Sequence, residues 1–407
     1  METEVVKTIL DYQDIFKDPL QFGRDVYNVF RDVKLLGLRN AFHGVPAALH
    51  FDHLRDLLLE KFNQFLGFPL KERMKACIHD TNGQRGYLPI RSEAVGQYGF
   101  TEFVERFTVG RNLVLGSPIT PNGVAYIPND KIREAVKDNK ELADIVDKII
   151  TLSELIIEVN EKRVLPVLTS LAKGCGVHHG YFAARYVYGD SVIRLNHRRA
   201  INGNIDYEDV NGLKTSNVKL TDGSIARRGI TLSPKTHICL LSTLLYSDSL
   251  GLMLETGDRT YVNYTLDPDS IWFSCGDLLS YELGGVLKSP RHADVFTKQT
   301  AKMDSSSIHI YNHLRPNAIV GLVPSIRMPK TVAAYPTTIA STLLWDRLFN
   351  MQRADSRDLS TLAQLSDLSN RADKDLFDKL LEWEKNQGYD RLSSLVGDST
   401  YEEIFGL

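Results

Sequence analysis

From residue 181 to about residue 324 the sequence breaks into short runs rich in β-branched and aromatic residues, among them YVYGDSVIRLN, THICLLSTLL, YVNYTL, SIWFSCG and SIHIYNHL. Gly, Asp, Asn and Pro stand between the runs, so each is bounded by turn chemistry. A series of this kind must bury its strands against one another, which predicts a sandwich or barrel. A core of that type needs apolar supply, and 43% hydrophobic residues against 24% charged provide it.

The flanks are helical. Residues 18–33 and 46–75 repeat apolar side chains at three- and four-residue spacing (Leu54, Leu57, Leu58, Phe62, Phe65), with a short strand in VKLLGLRNAFHG between them. Residues 131–174 do the same (Ile145, Ile149, Leu152, Leu155, Ile156, Val159), with a break expected near Pro166. Residues 200–229 are polar and glycine-bearing and read as a surface insertion covering the core. After Pro336 helical spacing returns. The expected division is an N-terminal helical and strand region over 1–180, a β core over 181–330 and a helical C-terminal extension over 331–407. That extension would pack on the sheet or pair two copies as a homodimer.

The formal net charge of −3 and the lack of a basic run exclude a nucleic-acid stripe. No stretch of about 18 apolar residues offers a membrane span, and the acidic start offers no leader, so a cytoplasmic protein is expected. Cys77, Cys175, Cys239 and Cys275 are scattered and form no CxxC pair, against a disulfide framework or zinc site. No GxSxG elbow supports Ser-His-Asp catalysis.

Several strings occur in an order that carries more than any one alone: LRNAFHGV, FLGFPLKERMKA, QRGYLPIRSE, SVIRLNHRRA, LLSTLLYSDSLGLMLE and WFSCGDLLSYELGGVLKSPRH. Together, over roughly residues 25–324, they resemble the isopenicillin N synthase-like branch of the non-haem iron, 2-oxoglutarate oxygenases. The resemblance implies a mainly β fold with flanking helices, built on a double-stranded β-helix (jelly-roll) core. It also implies Fe(II) held by a His-x-Asp on one strand and a distant His on another. His292, in its Lys-Ser-x-x-His setting, matches the distal ligand, and His237, 55 positions earlier, is the candidate for the first. Two residues on stands Cys239 rather than a carboxylate. If 237–239 is strand, the two side chains share a face and Cys239 would be the third donor. Counting back without a gap from residues 243–245 instead puts Thr236 in the first-ligand place and turns His237 away. Both registers stand open.

The family grips 2-oxoglutarate with an Arg-x-Ser and a tyrosine. Here the corresponding positions read Lys302-Met303-Asp304 and Arg198. Asp304 would oppose a carboxylate on Lys302, so 2-oxoglutarate is not expected as co-substrate. Arg198 and Lys302 are instead expected to face the interior and bind an anionic substrate, with Asp304 as partial counter-charge. Arg85 and Tyr87 match a substrate-contacting segment or form a structural turn. Arg194 and Asn196 are expected to brace the barrel, and His178 and His179 to mark a helix end. Three functions compete, in this order: a divergent iron oxygenase or oxidase of specialised metabolism acting on a polar or anionic small molecule; a redox-neutral cyclase or isomerase; and a non-catalytic binding protein.

Overall fold

The computed structural model describes residues 8–344, apart from 79–80, 82, 90–93, 96–99, 102–103, 112–127, 188, 201–214, 220–224, 249–251, 256–260, 264–265, 268, 297–299 and 324–336. The tail from 345 on, with the helical extension and dimer contact expected there, lies outside the described residues.

The chain enters through β1 (Ile9–Asp11), α1 (Asp14–Lys17), α2 (Pro19–Asp32) and β2 (Leu35–Arg39). Asp18 starts α2: its carboxylate accepts from the Gln21 amide at 2.9 Å, and Pro19 occupies the first turn, where no amide proton is needed. α3 (Phe51–Leu66) and α4 (Leu70–Arg73) precede β3 (Gly86–Leu88), the small hairpin β4 (Ala94–Val95) and β5 (Phe100–Thr101), and β6 (Glu105–Gly110). Then come α5 (Asp130–Val136), α6 (Lys140–Cys175) and α7 (Tyr181–Tyr186). The break expected at Pro166 does not occur: α6 runs through it. Burial along most of α6 outweighs the roughly 3 kcal/mol a helical proline costs. Gly176, at φ 78°, caps the end in the left-handed conformation that glycine adopts freely.

The remaining strands are β7 (Val192–Arg198), β8 (Thr215–Lys219), β9 (Ile225–Lys235), β10 (Leu241–Ser247), β11 (Leu252–Glu255), β12 (Tyr261–Asn263), β13 (Ile271–Cys275), β14 (His292–Phe296), β15 (Ser305–Asn312), β16 (Ile319–Val320) and β17 (Thr338–Ile339), with α8 (Asp277–Glu282) between β13 and β14. They form an eight-stranded sheet in the order β1-β2-β13-β10-β15-β7-β6-β3 and a five-stranded sheet in the order β12-β11-β14-β9-β8. Apart from the β1–β2 pair, both are antiparallel. Four strands of the large sheet come from the first 110 residues, so the N-terminal region completes the sheet as well as covering it. Part of the stretch read as a surface insertion is also sheet: β8 and β9 pair as an antiparallel hairpin at the edge of the smaller one. Backbone pairing at an edge asks for few apolar side chains, which is why the polar sequence concealed it.

Alternation divides the large sheet into two unlike faces. Phe107, Val109, Ile193, Leu195, Ile308 and Ile310 point outward into the main core, against the helices. A buried amide network ties the layers together: Asn160 of α6 and the Tyr186 hydroxyl donate to Asn312 Oδ1 (2.7 and 2.9 Å), and Asn312 Nδ2 donates to Thr243 Oγ1 (2.8 Å) and the Leu241 carbonyl (3.0 Å). α2 crosses α6 where both have glycine. A Cβ on Gly23 would stand 1.7 Å from the Ser170 carbonyl oxygen, and one on Gly174 would stand 2.2 Å from the Gly23 carbonyl oxygen. Because both obstacles are backbone, Gly23→Ala must move a whole helix. We expect it to cost about 1–3 kcal/mol, read as a lower midpoint in urea unfolding with an unchanged slope.

Candidate active site between the sheets

Across β6, β7 and β15 the inward face of the large sheet is polar. β6 presents Arg106 and Thr108, β7 presents Arg194, Asn196 and Arg198, and β15 presents Ser307, His309 and Tyr311. The register lines them up: Arg194 lies between Thr108 and His309, and Asn196 between Arg106 and Ser307. Arg106 Nε donates to Asn196 Oδ1 (3.1 Å), Asn196 Nδ2 donates to Ser307 Oγ (3.1 Å), and Ser307 Oγ meets His309 Nε2 at 3.2 Å. From the smaller sheet β14 contributes His292 and Asp294, and the end of β9 contributes Lys235, paired with His292.

His237 belongs to neither sheet. It lies in the link between β9 and β10, residues 236–240, which is bend rather than strand. Hydrogen bonds with residues 276–278, at the start of α8, hold that link: the Asp277 amide donates to the His237 carbonyl (2.7 Å), the Leu278 amide to the Cys239 carbonyl (3.1 Å), the Gly276 amide to the Leu240 carbonyl (3.0 Å), and Thr236 Oγ1 to Asp277 Oδ2 (2.8 Å). The His237 ring thereby stands 3.9 Å from the His292 ring, centre to centre, 4.7 Å from Tyr311 and 6.0 Å from His309.

Burial, then the charge of Lys235, pushes His292 down to about 4. Burial, then His292, Arg194, Lys235 and Arg106, pushes His309 down to about 3. Burial and the neighbouring His292 hold His237 well below its ordinary value. All three imidazoles are therefore neutral at physiological pH, and neutral imidazole is the form that binds a metal or accepts a proton. His292 Nδ1 faces the Pro290 carbonyl at 3.4 Å, which places the proton there. Its Nε2 is buried and has no hydrogen-bond partner among the described residues. Arg194 hydrogen-bonds the Tyr311 phenol, with its guanidinium carbon 5.3 Å from the ring centre. Arg194 makes no ion pair among the described residues, and its Nε is buried without a partner. Beside it, burial and the Arg194 charge push Arg106 down to about 9.

Of the residues singled out from sequence, the structure brings His237 and His292 together. It does not bring Cys239 to them. Cys239 is fully buried, with its sulfur against the Gly276 backbone, where a glycine Cβ would come within 2.9 Å. The same-face expectation assumed a strand, and a bend does not alternate. Burial also raises the Cys239 thiol well above its ordinary value, so it stays protonated. Among the described residues no three His, Cys, Asp or Glu side chains are placed to hold one metal ion. The pair thus fits an imidazole-held metal, while a third protein donor is not assembled with it.

The expected carboxylate cradle is also elsewhere. Lys302 and Asp304 are exposed in the turn before β15, where Asp304 accepts from the Ala200 amide (2.6 Å). Arg198 is buried, as expected, but spends a donor on the Thr300 carbonyl (3.0 Å) and feels the charge of Asp294. Tyr87 faces the helices: its hydroxyl donates to Glu105 Oε2 (2.6 Å), and its ring packs on Phe65. Arg85 lies fully buried over Gly110 and reaches Asp190 at 2.9 Å. Sequence reading assigned Arg194 a bracing role and passed over Arg106, His309 and Tyr311. The signal was there: in SIHIYN the polar residues alternate with isoleucines, which marks a strand with one charged face.

No family model matches this sequence, and no curated protein does. Solved structures do. A full-length Neurospora crassa protein, in complex with alpha-KG and thymine, superposes with a TM-score of 0.63 at 15% identity, over 84% of this chain and 96% of that one. A putative 2OG-Fe(II) oxygenase family protein from Caulobacter crescentus gives 0.61 at 17%, over 86% and 99%. The dioxygenase for auxin oxidation in rice gives 0.54 at 14%, over 85% and 98%. At these identities the likeness is one of fold: the chain has the fold of the 2OG-Fe(II) oxygenases, as the sequence resemblance implies.

The imidazoles set a stability dependence on pH. Their folded-state values lie below the ordinary 6.5, so between about pH 4 and 6.5 the unfolded chain binds more protons. Their contribution is fully present above that window and is lost as pH falls through it. Thermal melts at pH 7.5, 5.5 and 4.5 should show a falling midpoint, and His309→Gln should flatten that fall. An equal fall in the variant would remove His309 from the account.

Proposed function

We propose that this chain is an oxygenase-fold enzyme, an oxidoreductase acting on a polar or anionic small molecule held between the sheets, with His237 and His292 facing the reacting centre. The carrying observation is the His292 imidazole: buried, neutral, its Nε2 without a partner among the described residues and the His237 ring 3.9 Å away. A ferrous ion held by this pair would supply oxygen activation. The chain's own residues do the rest. The Pro290 carbonyl fixes the His292 tautomer, the Asp277 turn sets the height of His237, and Arg194 supplies positive charge for a substrate anion.

A redox-neutral cyclase or isomerase is the second reading. It is favoured by one observation, that no third donor among the described residues joins the two histidines. The expectation that 2-oxoglutarate is not used loses one of its grounds, because Asp304 and Lys302, expected to oppose each other inside the barrel, are both exposed. The Neurospora crassa protein was solved in complex with alpha-KG, so 2-oxoglutarate returns as a candidate co-substrate.

Anaerobic titration with Fe(II) followed by elemental analysis separates the two readings. The first expects about one ferrous ion per chain, lost in His237→Ala and in His292→Ala and retained in Cys239→Ala. Wild-type protein that takes up no iron sinks the first reading and leaves the redox-neutral one.

A further inference from the structure

The two sheets share a polarity axis. On the large sheet the register runs Trp272, Leu244, His309, Arg194 along one transverse row. On the smaller sheet it runs Leu254, His292, Lys235. In both, a step from the histidine toward one edge reaches an apolar side chain, and a step toward the other reaches a cation. Leu244, Leu254 and Trp272 meet with Leu35 in an apolar cluster of their own, apart from the main core. At the opposite side Arg194 adjoins Arg106, with a buried Nε that has no hydrogen-bond partner among the described residues. A buried guanidinium without an acid is costly unless an anion completes it, and a planar carboxylate matches its fork.

Resting on the reading above, we propose that the interior takes an amphipathic carboxylate, with its head on Arg194 beside Arg106 and its apolar end toward Leu244, Leu254 and Trp272. The reacting carbon then lies between the two, beside His237 and His292. Arg194 and Leu244 are two strands apart, roughly 10 Å, so the fitting ligand is a chain or ring system of about that length and not a short acid. The histidines, set midway, would meet a carbon several bonds from the carboxylate.

Calorimetry with butanoate, octanoate, octanamide and 2-oxoglutarate on the full chain tests this. Octanoate should bind at least tenfold more tightly than butanoate, since each buried methylene strengthens binding severalfold. Octanamide should bind at least tenfold more weakly than octanoate. In Arg194→Gln, checked for an unchanged melting midpoint, the difference between octanoate and octanamide should vanish. Comparison of the four ligands on wild-type protein does not depend on that variant folding. Octanamide binding as well as octanoate overturns the proposal. So does 2-oxoglutarate or butanoate binding as tightly as octanoate, although Arg194-dependent binding of those acids would leave an interior anion site, and the functional reading, standing. If no acid binds, the proposal falls, while the functional reading is decided separately by the Fe(II) titration.

Discussion

The two-residue alternation of the large sheet is the constraint on which the rest depends. Each of its central strands must satisfy an apolar helix layer on one side and a charged interior on the other. A slip of one residue in β15 would drive Ile308 and Ile310 inward and put His309 and Tyr311 against α6, burying polar groups without partners. Asn312 guards against that slip. Its amide is satisfied at once by α6, α7 and β10, and no neighbouring register offers the same four partners. The fold and the site are in this sense one object, because the ladder that builds the core also aims the interior side chains.

Charge buried on the helix side is handled differently from charge in the interior. Glu105 is held by Arg73, Arg199 and the Tyr87 hydroxyl, and Glu282 by Arg185, so each acid has a matching cation within the chain. These pairs fix how helices meet strands, and removing one partner would strand the other in a dry environment. Inside the barrel Arg194 has a phenol, a neighbouring arginine and neutral imidazoles around it. The contrast is chemical: Glu105 and Glu282 each meet a cation, whereas Arg194 meets no acid among the described residues.

Much of this was legible in the sequence, for reasons that can be named. The strand series and the helical flanks follow from periodicity, and the juxtaposition of His237 with His292 from the family resemblance of the Lys-Ser-x-x-His string, which left Thr236 open as the alternative. The errors share a cause. Lys302, Asp304 and Cys239 were placed by counting along presumed strands, yet 300–302 is a short 3-10 turn and 236–240 is a bend. Counting conserves side only while alternation lasts. The polar hairpin β8–β9 was hidden for the converse reason, since backbone pairing leaves no apolar trace at an edge. Arg106 and Arg194 could be seen only as separate arginines until register placed their strands side by side.

The bend that carries His237 has a consequence for how such a site can change over time. Strand residues answer to a ladder, and moving one moves all its neighbours; the link at 236–240 is held instead by the start of α8, by the Asn312 carbonyl and by its two ends. Gain or loss of a residue there would exchange Thr236 for His237 at the interior while β9 and β10 kept their pairings. The ambiguity met in aligning Thr236 and His237 is thus a degree of freedom of the molecule itself. Through it the side chain facing the His292 imidazole could change without renegotiating the architecture around it.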